Sequence, residues 1–235
     1  MKKILGFSTL AVALIASSSF GFADTIQLGS FATGAPSFGD ANTAMNYAGF
    51  SATLTTPVVG VGNTFTLNPS SVWAAPVPNS TWVGYASTAG PVGTVNPALG
   101  YYTFTTNFTA AAGTYAGILN IMADDSASIL LNGSVLVPFG SLGGDTDCAD
   151  VGITCRGVDS LVLSGLALLG GNDANSLTFV VRQGGNLATL NPSGLDFNAT
   201  LTSPSSGAVP EPSTLMLLGT GLVGAATAMR RRVGL

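Results

Sequence analysis

The 235-residue chain has no histidine, one Glu, two cysteines and seven Lys or Arg. Charged residues make up 8% of it, against about 25% in an ordinary globular domain. Without histidine there is no Ser-His-Asp or Cys-His pair and no imidazole metal ligand. No Lys follows Lys3, which removes a phosphate-loop lysine and a Schiff base. Glu211 is the single Glu, so a two-carboxylate hydrolase would have to be built from Asp alone. Five of the seven basic residues sit at the ends, as Lys2, Lys3, Arg230, Arg231 and Arg232. From Asp24 to Val209 only Arg156 and Arg182 stand against ten Asp, a balance of −8. That stretch cannot neutralise a phosphate backbone, which excludes nucleic acid as a partner, and the same balance argues against adhesion to anionic lipid. These absences point away from an enzyme.

What is present begins with the two ends. Lys2 and Lys3, the apolar run Ile4 to Ala16 and the small residues of Gly21-Phe22-Ala23 read as a secretory signal peptide over residues 1–23, cleaved after Ala23 by an export pathway that uses the Sec machinery. An uncleaved anchor is the weaker reading, because the apolar run falls short of the roughly 20 residues that a membrane span needs.

At the other end Pro210-Glu211-Pro212 bars a helix, since the prolines fix the backbone and lack N–H donors. Ser213 can then cap a helix over residues 214–229, about 24 Å long at roughly 1.5 Å per residue and short for a hydrocarbon core of about 30 Å. Arg230, Arg231 and Arg232 would remain cytoplasmic, snorkelling to make up the difference, with residues 24–209 outside. This order of Pro-Glu-Pro, short apolar helix and terminal arginines, over residues 210–235, resembles the PEP-CTERM protein-sorting signal of Gram-negative bacteria. Tails of this kind are also catalogued as an ice-binding protein C-terminal domain. The resemblance implies recognition of Pro210, Glu211 and Pro212 by exosortase in the inner membrane. It further implies transient anchoring through the helix, removal of the tail and export to the cell surface or an exopolysaccharide matrix.

Between the ends, Gly, Pro, Asn or Asp interrupts the chain about every 8 to 12 residues, and no amphipathic helix stands out. Tyr102, Phe104 and Phe108 alternate with Thr103, Thr105 and Asn107, the period of two of a half-buried strand. The same alternation runs through Leu177 to Arg182 and Leu195 to Leu201. Tyr115 to Ala123 and Ser126 to Leu131 are more apolar, as strands covered on both faces would be. Asn132-Gly133 between Ile129-Leu130-Leu131 and Val135-Leu136-Val137 marks a tight hairpin, because both turn positions need a positive φ. Short edge strands are expected near Thr25 to Leu28, Phe50 to Leu54, Thr64 to Leu67 and Thr81 to Tyr85. The pattern predicts an all-β fold, a single antiparallel jelly-roll or β-sandwich of roughly eight to ten strands over residues 24–201, with a Pro/Ser/Gly linker over 202–209.

The runs Tyr102-Thr-Phe104, Ile118 to Gly133 and Asn175 to Val181 resemble the galactose-binding-domain-like β-sandwich of exported bacterial proteins, over residues 101–181. In that superfamily ligands, where present, bind in loops at one end. The resemblance implies the fold more than it implies sugar binding.

Four groups of residues are candidates for function. Cys148 and Cys155, six residues apart in an exported chain, are expected to form a disulfide. Asp145, Asp147 and Asp150 share that loop and could supply Ca²⁺ with oxygens, or be a solvated acidic turn. Asp124-Asp125 admits the same two readings, with turn chemistry favoured. Trp73, Trp82 and Tyr85, near Asn79 and Ser80, could stack on glycan rings or fill a core under long loops.

The expectation is therefore a non-enzymatic, exosortase-sorted surface or matrix protein with a structural or adhesive sandwich able to bind polysaccharide. One alternative is a secreted Asp-dependent hydrolase, for which Asp124 and Asp125 are the best pair although neighbouring strand residues should point to opposite faces. The other is an ice- or surface-binding plane, suggested by Thr103 and Thr105.

Overall fold

The structure, a computed structural model, describes residues 24–31, 37–54, 62–141 and 153–203, with eight helical positions between Met216 and Thr227. Asp24–Pro204 forms one compact unit, and Met1–Ala23 with Ser205–Leu235 another. The expected signal peptide, the Pro-Glu-Pro motif, the three arginines, Cys148, Asp145, Asp147 and Asp150 all lie outside the described residues.

The first unit is antiparallel throughout its strand pairs. Its strands are β1 (Thr25–Gly29), β2 (Ala41–Ser51), β3 (Gly62–Thr66), β4 (Val83–Gly84), β5 (Gly100–Ala110), β6 (Gly113–Asp124), β7 (Ser126–Leu131), β8 (Ser134–Val137), β9 (Asp159–Leu168), β10 (Gly171–Gln183) and β11 (Gly194–Thr202). Hydrogen bonds link them in the order β8-β7-β10-β5-β2-β3-β4-β11-β6-β9, with β1 also against β11. One layer runs from β8 to β2, the other from β4 to β9, and β3 carries the path between them. The rings of Phe179 on β10 and Phe197 on β11 meet across the interior, 4.4 Å apart. This is the all-β antiparallel sandwich that the alternation predicts.

The interior follows from the period of two. Tyr102, Phe104 and Phe108 of β5 are buried with Leu177, Phe179 and Val181 of β10 and Leu195, Phe197, Ala199 and Leu201 of β11, while Asn107 and Thr109 face out. Each large side chain so buried contributes about 1.5–3 kcal/mol relative to exposure. The Asn132-Gly133 hairpin joins β7 to β8 with φ of 49° and 79°, the backbone that the dipeptide signals.

Several expectations need correction. β6 is covered on both faces only from Ile121 onward, since Ala116 and Ile118 are exposed. The double cover has a local cause. Ile121 and Ala123 point into the main core, while Met122 packs outward into a second cluster with Leu67, Trp73, Val77, Trp82, Ala89 and Cys155. β2 is longer than the expected Phe50 to Leu54 and ends at Ser51, with register shifts between Asn42 and Asn46 and between Tyr47 and Gly49 that hide its alternation. β9 was not foreseen. Its pairing with β6 shifts between Tyr115 and Gly117, and Gly165 in the strand has φ of 68°.

In the second unit Met216, Leu217, Gly219, Thr220, Gly221, Val223, Gly224 and Thr227 are helical. Thr220 and Thr227 return their hydroxyls to the carbonyls of Met216 and Val223, at 2.8 and 3.0 Å. Among the described residues no helix is long and apolar enough to cross a membrane.

Candidate functional site

The register fixes which loops share an end of the sandwich. Thr202 pairs with Ala116 at one end of the β11–β6 ladder and Gly194 with Asp124 at the other, about 26 Å apart at roughly 3.3 Å per residue. The chain leaves the domain after β11 at the first end. Asp124, Asp125, the 85–99 loop and the 184–193 loop gather at the second.

Asp124 closes β6 and Asp125 precedes β7, joined by a cis peptide. The two carboxyls do not diverge as successive strand residues should; they hydrogen-bond to each other. Asp124 is 6% and Asp125 2% exposed. Burial first, then the hydrogen bond and charge of Asp125, push the Asp124 carboxyl up to about 8, opposed by the Trp73 indole. Trp73 Nε1 donates to Asp124 Oδ2 at 2.6 Å. The Gly184 amide donates to the Asp125 carboxyl, and the Asp125 amide to the Arg182 carbonyl at 3.0 Å. Ser193 Oγ donates to the Asp124 carbonyl at 3.1 Å. The expected turn therefore has a second character, that of a buried acid pair held by the Trp73 loop, the 184–193 loop and β10.

Ser126 stands opposite Arg182 in the β7–β10 register, and Gln183 ends β10 opposite Gly100 of β5. Gln183 Nε2 donates to the Asn191 carbonyl at 3.0 Å. Its Oε1 is buried without a hydrogen-bond partner among the described residues. The two loops around this group are tied together: Asn96 Nδ2 donates to the Leu187 and Thr189 carbonyls at 3.0 and 2.8 Å, and the Asn191 amide donates to Asn96 Oδ1 at 2.9 Å. Residues 85–99 and 184–193 carry no charge.

Of the two readings open to the aromatics, glycan stacking or a core under long loops, Trp73 and Trp82 take the second. Trp73 and Trp82 are 3% and 0% exposed and stack on each other at 4.3 Å, so neither offers a ring face to a sugar. Two indoles lose more by exposure than a single contact returns, and Trp82 Nε1 is satisfied by the Ala74 carbonyl at 2.9 Å. Tyr85 is separate from that stack: half-buried, it lies 4.7 Å from the ring of Tyr102 and 5.8 Å from that of Tyr47. Thr103 is covered, and Thr105 shares a 3.1 Å hydrogen bond with Thr178, which leaves no open plane at these two threonines.

Cys155 is disulfide-bonded, and Cys148 is the only other cysteine in the chain. The Cys155 carbonyl accepts from the Ala74 amide and the Thr154 carbonyl from the Ala123 amide, both at 2.9 Å. Cys155 thus sits where the Trp73 loop meets β6, next to Ala123, one residue before Asp124. No group of three His, Cys, Asp or Glu placed to hold a metal occurs among the described residues.

Sequence reasoning missed Asp196. It faces outward from β11 and is fully buried under the second cluster, where Ser30 Oγ and the Val77 amide donate to it at 3.0 and 2.8 Å. Burial raises its pKa, while hydrogen bonds from Ser80, Val77, Ser30 and Phe197 oppose the rise. Its place between Leu195 and Phe197 reads as a solvent-facing strand position, and nothing local signals the loop that covers it.

A family model of the PEP-CTERM protein-sorting motif matches residues 208–232. No curated protein matches the chain. Among solved structures it is similar to a PA14 sugar-binding domain from an RTX adhesin, at 20% identity over 45% of this chain and 47% of that one, with a TM-score of 0.26. It is also similar to the PA14 domain of the antifreeze protein MpAFP, at 14% identity over 46% of each chain, with a TM-score of 0.24. The chain spans less than half the length of each of these structures.

Proposed function

We propose that the protein is exported, sorted by exosortase and displayed at the cell surface or in an exopolysaccharide matrix. There its sandwich binds polysaccharide, without catalysis, at the Asp124–Asp125 end. The sorting motif over residues 208–232 supports the first half, because it follows β11 within a few residues. On this reading residues 1–23 direct export through the Sec machinery, the 214–229 helix holds the protein in the inner membrane until the tail is cut, and Cys148 pairs with Cys155.

The observation that carries the second half is the convergence of two buried carboxyls at the end of the domain remote from the linker. A carboxyl pair of this kind cannot carry both charges unaided, so it takes up a proton or a cation. The carboxyls of Asp124 and Asp125 are hard oxygen donors of the kind that Ca²⁺ takes. Bound calcium would supply positive charge and open coordination positions for sugar hydroxyls. The protein's own part is to hold the oxygens together through Trp73 and Gly184, and to frame the approach with two uncharged loops. An uncharged rim suits a neutral, hydroxyl-rich polymer.

The test is binding of the purified protein to the host's exopolysaccharide, with calcium and with chelator. The proposal expects calcium-dependent retention that Asp125→Asn abolishes. Retention indifferent to both calcium and Asp125→Asn would overturn it.

The same convergence favours one second reading, hydrolysis by an acid dyad. Its geometry is unlike that of a glycosidase, whose carboxyls stand about 5–9.5 Å apart, whereas these two bond to each other. Turnover of a polysaccharide or peptide substrate, lost in Asp125→Asn, would establish the dyad in place of binding.

A further inference from the structure

We propose that β9 is the contact through which two copies of this chain join, its outer edge pairing antiparallel with the same edge of a second sandwich about a two-fold axis at Val162.

β9 ends the hydrogen-bonded path, and β6 is its one neighbour among the described strands. An edge of this kind presents backbone donors and acceptors to any strand that can approach, and sandwiches guard it with Lys, Pro, an inward charge or brevity. β8, at the other end of the path, is guarded by its length of four residues. β9 is ten residues long, and from Ser160 to Leu168 it carries no charge and no proline. Val162 is 85% exposed, more than any other large apolar side chain described, and the Ile118 side chain opposite it on β6 is also exposed.

The edge's own sequence says what fits it. Ser160-Leu161-Val162-Leu163-Ser164 reads the same in both directions. Antiparallel pairing about Val162 therefore sets each residue against its own kind: Ser160 of one copy against Ser164 of the other, Leu161 against Leu163, and Val162 against itself. The faces match as well. Ser160, Val162 and Ser164 are exposed, while Leu161 and Leu163 are half-buried against the main core. In the pair the leucines of the two copies meet at the margins of their cores, and the two valines cover each other. Ten Asp against two Arg between Asp24 and Val209 oppose self-association in general, but this segment is neutral and meets a neutral copy. Asp159 falls opposite Gly165 of the second copy, which has no side chain to crowd it. Gly165 also ends the match, because its φ of 68° shifts the alternation so that Leu166 and Leu168 are the buried positions beyond it. Each chain offers one such edge and the two-fold axis consumes both, so assembly closes at two.

The pairing fixes how the two sandwiches run. Asp159 stands opposite Ile121, toward the Asp124 end of β6, and Leu168 opposite Gly113 at the other. Antiparallel β9 strands therefore turn the Asp124–Asp125 ends of the two copies in opposite directions. With the polysaccharide site proposed above, the pair is a bivalent cross-link; the pairing itself does not depend on that site. A ladder of five residues a side belongs with small interfaces, under about 1,200 Å², and forms where copies are concentrated.

The experiment uses the full-length chain in detergent and has two arms. Sedimentation velocity from about 1 μM to about 1 mM should show a dimer that grows with concentration. Val162→Lys, which puts like charges directly opposite each other, should weaken that dimer at least about tenfold, while its urea unfolding stays that of wild type because the side chain is exposed. The second arm reads the register. Ser160→Cys chains are mixed with isotope-labelled Ser164→Cys chains, oxidised mildly and resolved by intact mass. The mixed pair stands directly opposite, whereas two copies of the same position are about 13 Å apart along the strands, beyond the roughly 4.4–6.8 Å between Cα atoms that a disulfide spans. The mixed disulfide should exceed either self-linked product at least about tenfold. A chain that is monomeric throughout, a dimer that Val162→Lys leaves intact, or mixed and self-linked products in the random ratio would each overturn the pairing. Calcium-dependent polysaccharide retention by a monomeric chain would refute the pairing alone and leave the binding reading standing.

Discussion

Trp73 and Asp124 are joined by a 2.6 Å hydrogen bond from the indole Nε1 to a buried carboxyl, closing a loop of 51 residues onto the end of β6. The contact couples the second hydrophobic cluster to the acid pair. Trp73→Phe keeps most of the ring and deletes the donor. Deleting the donor leaves a buried carboxyl oxygen without this partner, which costs about 1–3 kcal/mol, so urea unfolding should show a loss of that size. A loss below about 0.5 kcal/mol would mean the indole is a packing element only.

Stability should fall as pH rises from about 4 to about 8. Asp124 keeps its proton in the folded state up to about 8 but loses it near its ordinary value of 3.8 when unfolded. Between those values the native state binds the extra proton, and alkali pulls the equilibrium toward unfolding. Asp196, raised by burial, adds a slope of the same sign. Thermal melts across this range should show the decline in wild type and a flatter profile in Asp124→Asn. Millimolar calcium should offset the decline near pH 8.

Two glycines separate backbone close approach from backbone conformation. A Cβ on Gly117 would lie 2.0 Å from the Thr200 carbonyl oxygen, which is strand backbone and cannot yield without parting β6 from β11. Gly117→Ala is expected to abolish cooperative folding. At Gly133 a Cβ would meet nothing within 4 Å, and only the φ of 79° is strained, a cost of about 1–2 kcal/mol. Folded yield and urea midpoints of the two variants test the contrast.

Asp196→Ala should release the 77–80 segment, since the Val77 amide loses its acceptor inside the second cluster. Leaving a buried donor unpaired costs about 1–3 kcal/mol. Limited proteolysis should then cut near residues 77–80, sites that resist cleavage in wild type.

What was legible in the chain is what alternation encodes. β5, β10 and β11 each set a strongly apolar face against a more polar one, and Asn132-Gly133 can serve one turn, so these elements could be read without the rest. The acid pair was visible as a pair but not as a site, because the expectation that neighbours on a strand diverge assumes the strand continues, and here β6 ends at Asp124 and β7 begins at Ser126. Trp73 and Trp82 look alike whether exposed or buried; what decides between the two is the second cluster, assembled from Leu67, Met122 and Cys155 across distant parts of the chain. Asp196 fails for the same reason. Its cover is a loop more than a hundred residues away, and no local pattern records it.

The central claim is that this is an exported sandwich delivered by its tail. The most direct test is intact mass and fractionation of the protein made in its native host, beside a variant with Pro210, Glu211 and Pro212 all changed to Ala. The account predicts a wild-type product that starts at Asp24, lacks the C-terminal helix and is found at the surface or in the matrix, while the variant keeps its tail and stays with the membrane. An intact tail and the same membrane fraction in both would contradict it.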